Sequence, residues 1–154
     1  MSYYLWSLIT HKQSLWVKWI HEYRLNSKSV WEVSVQSMDS WGWRKILHIR
    51  DIIRRYIIHQ IGNGSSCSAW YDTWCDLGPL ANIVSYRDIN SAGYSTTSKV
   101  HDVVDQSGWK WPANWNLKYP ILNLIQPPVI NNEDDKVNWR DADGNMQQFS
   151  VGTV

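Results

Sequence analysis

Residues 40–75 read SWGWRKILHIRDIIRRYIIHQIGNGSSCSAWYDTWC, and a change of period inside this stretch decides the fold. The first half is helical in pattern. At about 100° per residue, Ile46, Ile49, Ile53, Tyr56 and Ile57 share one arc, with Trp43 at its edge. Arg44, His48, Asp51 and Arg55 fall on the opposite side. Arg50 and Arg54 stand at the margin of the apolar arc, where their heads are expected to snorkel outward or to pair with acids. Asp39 and Ser40 are both suitable N-caps, since either side chain can accept an orphan backbone N–H. Gly62 ends the pattern, and Gly62-Asn63-Gly64 supplies residues that tolerate positive φ. Ser66, Ser68 and Trp70 then alternate with Cys67, Ala69 and Tyr71. Residues 59–61 and 66–71 are therefore expected to form a β-hairpin.

On the N-terminal side, residues 3–25 read as helix with a break near His11. Ser14 can cap a second segment whose stripe is Leu15, Trp16, Trp19, Ile20 and Tyr23. Residues 30–35, VWEVSV, read as extended. On the other side Gly78-Pro79 breaks the chain, and residues 80–84 suit a helical turn. Residues 91–98 form a loop, and Ser98 can cap a short helix carrying Val100, Val103 and Val104. Residues 113–125 look helical, with a boundary at Tyr119-Pro120 because the residue before proline avoids the helical region. Residues 131–136, NNEDDK, read as an acidic surface loop. A second hairpin is expected over 137–151, turning at Asp141-Ala142-Asp143-Gly144-Asn145. The reading is an α+β fold: N-terminal helices, two β-hairpins at about 59–71 and 137–151, long loops and a Trp-rich core. It divides into a mainly helical segment 1–60, a hairpin and loop segment 61–136, and a terminal hairpin segment 137–154.

Twelve Trp against a single Phe in 154 residues make the core unusual. Each indole buries a large area and wants a partner for its N–H. The charge is split. Residues 1–60 carry nine Lys and Arg against four Asp and Glu, whereas residues 61–154 carry six against ten. That asymmetry suits a nucleic-acid-facing front half, or equally solvated helix faces and complementary packing. Arg44, Lys45, Arg50, Arg54 and Arg55 are the cations placed to hold a phosphate backbone, with Trp41 and Trp43 beside them for stacking on bases. The same rings could instead be core. Two cysteines form no disulfide framework. No basic start followed by an apolar run marks a signal peptide, and no apolar run reaches the roughly 18 residues of a spanning helix. An intracellular setting without membrane contact is the resulting expectation.

Other chemistry has weak footing. His59, Cys67 and Cys75 stand eight apart with Asp72 and Asp76 nearby, but structural zinc sites usually place ligands in close pairs, so no metal site is expected. Asp141, Asp143 and Asn145 resemble the opening of a calcium loop whose twelfth position is glycine rather than glutamate, and a hairpin turn explains them as well. There is no nucleophile elbow and no Gly-rich loop between strand and helix, so no catalytic residue is assigned.

The order of several short motifs carries a resemblance. SLWVKWIHEYRL at 14–25, SWGWRK at 40–45, IGNG at 61–64, SAWYD at 68–72, Trp74, DLGP at 76–79, SAG at 91–93, VNWRDAD at 137–143, Gly144 and FSV at 149–151 occur together. In this order they resemble plant LINE-type (non-LTR) retrotransposon polyproteins. The resemblance implies the region that follows the polymerase core of a reverse transcriptase and leads into its zinc-binding domain. FSV resembles the first residues of that domain. The zinc ligands would then lie beyond Val154 and the magnesium-binding aspartates of the RNA-directed DNA polymerase before Met1, leaving no cofactor in this chain. Met1 resembles an internal methionine, so the chain is expected to be a fragment, non-catalytic by itself. Its role would be a linker or scaffold that packs on the rest of the polyprotein and helps grip RNA or DNA, with nuclear action for the parent element. Two alternatives from other classes stay open: a purely structural Trp-rich module, and a carbohydrate- or small-molecule-binding domain with an exposed aromatic platform.

Overall fold

The computed structural model describes residues 1–149, so the last residues of the second expected hairpin, Ser150 and Val151, lie outside the described part. In chain order the elements are α1 (Ser2–Ile9), α2 (Leu15–Trp19), α3 (Trp41–Ile53), β1 (Ile57–Gln60), α4 (Tyr86–Ser91), α5 (Val100–Val103), β2 (Val104–Asp105), β3 (Gly108–Trp109), α6 (Trp115–Lys118), β4 (Lys136–Arg140) and β5 (Met146–Gln147). The fold is α+β, with two small sheets ordered β1-β4-β5 and β2-β3. Among the described residues, no helix is long and apolar enough to cross a membrane. The chain divides into two compact units. Of the described residues, one comprises 1–58 and 137–149, the other 59–136.

In the first unit, α1 ends where His11 turns to φ 50°. Ser14 then caps α2 by accepting the Val17 N–H at 3.2 Å. The chain continues from α2 through wider π-type turns over Ile20–Leu25, and Asn26 stops it in the left-handed region. Ser40 caps α3 through the Trp43 N–H at 3.2 Å, an interaction worth about 1 kcal/mol. Trp43, Ile46, Leu47 and Ile53 are buried, while Arg44, His48, Asp51 and Arg55 are exposed, as the helical period requires. The helix ends earlier than its apolar pattern. Arg54–Tyr56 tightens into a 3₁₀ turn and Ile57 is already extended. The β-branched pair Ile57-Ile58 suits a pleated surface, and strand pairing overrides the helical period there. Residues 30–35 form turns and irregular chain rather than the expected extended segment. β4 and β5 pair antiparallel with Trp139 opposite Gln147 and Arg140 opposite Met146, which forms the described part of the second hairpin.

The second unit is built on aromatics. Trp70 is fully buried and donates its indole N–H to the Ser95 carbonyl at 2.8 Å. Trp74 donates to the Ala69 carbonyl at 3.1 Å. Trp111, Trp115, Leu80, Val100 and Val103 complete the same cluster. The Tyr119-Pro120 boundary lies where expected, between α6 and a 3₁₀ turn over Pro120–Leu124. The position before α5 is Lys99, not Ser98, and Asp102 accepts its N–H at 2.7 Å.

The expected hairpin at 59–71 is not formed. β1 pairs with β4, and the segment after the turn runs instead beside residues 98–101. Ala69 N–H donates to Ser98 O at 3.0 Å, Val100 N–H to Cys67 O at 3.0 Å and His101 N–H to Gly64 O at 3.1 Å. The amides of Gly62, Gly64, Ser66 and Cys67 all donate to the Asp135 carboxylate, at 2.8, 2.8, 3.0 and 3.0 Å. Donors committed to a carboxylate cannot also close a two-stranded ladder.

Candidate functional site

The five cations expected to meet nucleic acid all lie on or just after α3, and they divide into two groups. Arg50 is only 13% exposed. Its guanidinium donates to the Val30 and Val33 carbonyls and pairs with Asp51 at 3.5 Å. It therefore ties the 30–33 segment to the helix. Arg54 is half-buried and lies over the Trp31 ring, 4.9 Å from its centroid. Arg44, Lys45 and Arg55 are exposed. Arg44 donates to the Ser37 carbonyl, Lys45 sits 5.7 Å from the Trp41 ring and Arg55 lies 5.8 Å from the Tyr56 ring. Trp41 is 70% exposed beside Lys45, whereas Trp43 is buried. The exposed face thus offers three cations and one open indole. The shared helix explains why sequence spacing grouped all five; the 30–33 segment, which takes up Arg50 and Arg54, distinguishes them.

Elsewhere in this unit Tyr4, Trp16, Trp19 and Tyr23 are exposed on the first two helical segments. Tyr4 meets Trp16 at 62° and Trp19 meets Tyr23 at 33°. These rings are tilted against each other and do not form the flat row that stacks on a sugar. A cleft of about 700 Å³ is lined by Tyr3, Trp6, Lys12, Asn138, Gln147 and Phe149, among others.

The sequence's metal candidates separate in the second unit. His59, Cys67 and Asp72 come together, their ligand atoms all within 4.8 Å of one another. Cys75 and Asp76 are not in that group, and the Cys75 thiol lies 3.7 Å from the Gly78 carbonyl oxygen. Burial pushes the Cys67 thiol well above its usual range, and the Asp72 and Asp135 carboxylates push it further. A raised thiol pKa disfavours the thiolate, which is the nucleophilic form. In the first unit, Asp141 accepts the N–H groups of Asp143 and Asn145 at 3.0 and 2.8 Å, so its carboxylate closes the hairpin turn.

Sequence reasoning missed Asp135. Within the acidic stretch 131–136 it is the one acid turned inward, where the amides of residues 62–67 enclose it. Burial opposes its charge, yet the N–H donors of Gly62, Ser66, Gly64 and Cys67 prevail and hold its carboxyl below the usual range. The glycines are needed there. A Cβ on Gly62 would stand 2.2 Å from the Glu133 carbonyl oxygen, and Gly64 has φ +70° with His101 N 2.8 Å from the place a Cβ would take. The signal that could have found the pair was the G-N-G turn itself, a run of N–H groups in search of an anion.

No family model matches the chain, and no solved structure matches it. An uncharacterized mitochondrial protein of Arabidopsis thaliana is similar over 53 residues at 38% identity. That stretch covers 34% of this chain and 34% of the Arabidopsis protein, so the match spans about a third of the relative's length. It ties part of this chain to a plant mitochondrial open reading frame and is compatible with a retroelement-related origin.

Proposed function

We propose that this chain is a non-catalytic scaffold segment of a retrotransposon-type RNA-directed DNA polymerase, and that it grips nucleic acid through the exposed face of α3. The order of motifs from SLWVKWIHEYRL to the 137–143 segment supports the origin. The observation that carries the binding role is the exposure of Arg44, Lys45 and Arg55 along α3 and just past its end, with the open Trp41 ring beside Lys45. Phosphate contact by such cations releases counterions, and an exposed indole can stack on an unpaired base. Arg50 and Arg54 are engaged within their own unit and stiffen the platform rather than meet the ligand. The exposed rings of Tyr4, Trp16, Trp19 and Tyr23 suit packing against other segments of the polyprotein. In this reading the copying chemistry, with its magnesium, belongs to those other segments.

The test is the salt dependence of binding to single-stranded nucleic acid. Each phosphate contact contributes about 0.7 to the slope of log K against log salt. The combined variant Arg44→Gln, Lys45→Gln, Arg55→Gln should lower that slope by about 2. Added single strand should also quench Trp fluorescence, and Trp41→Phe should remove most of the quenching. An unchanged slope with unquenched fluorescence refutes the binding role and leaves the purely structural module.

A further inference from the structure

We propose that His59, Cys67 and Asp72 form a binding site for one zinc-class divalent cation in the second unit, independent of the nucleic-acid reading. The three donors come from different places. His59 is on β1, whose alternation turns it to the buried side together with Ile57. Cys67 is the last residue of the turn that encloses Asp135, and Asp72 follows Trp70 and Tyr71 on the way to Trp74. Sequence spacing alone, with its eight-residue steps, gave no reason to expect them together.

The backbone pins each donor. His59 N–H donates to the Thr73 carbonyl at 2.8 Å, which sets the imidazole beside Asp72. The Cys67 N–H is held by Asp135 at 3.0 Å and its carbonyl by the Val100 N–H at 3.0 Å. The Asp72 carboxylate accepts the Ser68 N–H at 2.7 Å. His59 Nε2 then lies 3.6 Å from Asp72 Oδ2, and Cys67 Sγ completes a triangle with no side above 4.8 Å. Ligand atoms about 2.0–2.3 Å from a tetrahedral ion stand roughly 3.3–3.8 Å apart. One edge already has that length, and side-chain rotation of about an ångström brings in the third donor.

The chemistry of the set points the same way. A thiolate, an imidazole and a carboxylate favour zinc-like ions over magnesium or calcium, which prefer oxygen alone. The two anions balance the charge of a divalent ion, so burying it leaves no net charge in a low-dielectric place. His59 is 6% exposed and Cys67 1%, and the His59 Nδ1 atom has no hydrogen-bond partner. Three protein donors leave a fourth position to water, as in open zinc sites. Binding must displace the Cys67 proton, so one proton leaves as the metal–sulfur bond forms, and affinity falls with decreasing pH.

The experiment uses the full chain, stripped with chelator and titrated with cobalt(II) and then zinc(II). A thiolate-to-cobalt charge-transfer band should appear with one equivalent of cobalt and disappear when zinc is added. Zinc at about a hundredfold above its Kd should raise the thermal midpoint by about 5–10 °C. Cys67→Ser should abolish the band, His59→Gln should weaken binding at least about tenfold, and Cys75→Ser should leave both readouts intact. A wild-type chain with no charge-transfer band and no midpoint shift overturns the site. So does a band that survives Cys67→Ser and is lost in Cys75→Ser. Because the wild-type titration decides by itself, a variant that fails to fold does not rescue the idea.

Discussion

The two units satisfy their backbones in different ways. In the first, α3 runs for 13 residues and uses its own amides, so its charged groups are left for caps and ion pairs. Asp39, just before it, accepts the Gln36 N–H at 2.7 Å and the Arg24 guanidinium at 3.1 Å. In the second, the longest described helix is six residues, and many amides have no helical partner. Carboxylates take that place. Asp135 holds four backbone N–H groups, Asp72 and Asp102 hold one each, and Asp105 accepts the Ser107 N–H at 2.7 Å. Asp88 extends the habit to side chains, where Lys118 and then Tyr119 bring its pKa down to about 2. Where secondary structure is short, an acid does the work a helix does elsewhere, and it can be far away in sequence. Asp135 lies 73 residues from Gly62.

The difference can be broken most severely at its centre. Gly62→Ala puts a methyl group against two fixed backbone carbonyls, those of Glu133 and Asp134. It should cost about 3–5 kcal/mol, read as a lowered denaturant midpoint by Trp fluorescence. Removing the acid is the next largest effect. Asp135→Ala strands four amides and should cost about 2–4 kcal/mol. The same residue gives a pH signature. Its folded pKa is lowered, so its contribution is complete above the unfolded value of about 3.9 and is lost as pH falls through the lower folded value. Acid unfolding should therefore be less steep in Asp135→Asn than in the wild type below about pH 4, and an identical acid limb would show the cradle does not hold charge. The smallest change has the opposite sign and sharpens the contrast. Gly42, inside α3, has open space where a Cβ would go. Gly42→Ala should stabilise by about 0.5–1 kcal/mol through helix propensity alone, and a loss would mean that α3 is not the self-sufficient helix described.

Legibility in the sequence followed the same division. The faces of α3, its Ser40 cap, the Ser14 cap, the break near His11 and the boundary at Tyr119-Pro120 could all be read, because each depends on residues within a turn or two of one another. The 59–71 hairpin could not. Its alternating pattern is real, but the pairing partner is chosen by competition, and β4, the 98–101 segment and Asp135 won the available bonds. The basic cluster shows the same limit. Spacing placed Arg50 among the ligand-facing cations, and the carbonyls of Val30 and Val33, twenty and seventeen residues away, withdrew it.

Local pattern by itself determined that this chain would be α+β, with an amphipathic helix at its front, aromatic rings in its core, and turns where glycine meets asparagine or proline. These features need only near-neighbour sterics and the period of the backbone. Tertiary structure alone decided which acid fills the G-N-G turn, which strand β1 pairs with, which arginines stay in solvent, and that His59, Cys67 and Asp72 share one buried place. Those outcomes rest on burial and on the closure of long loops, and neither is encoded in the spacing of a single segment.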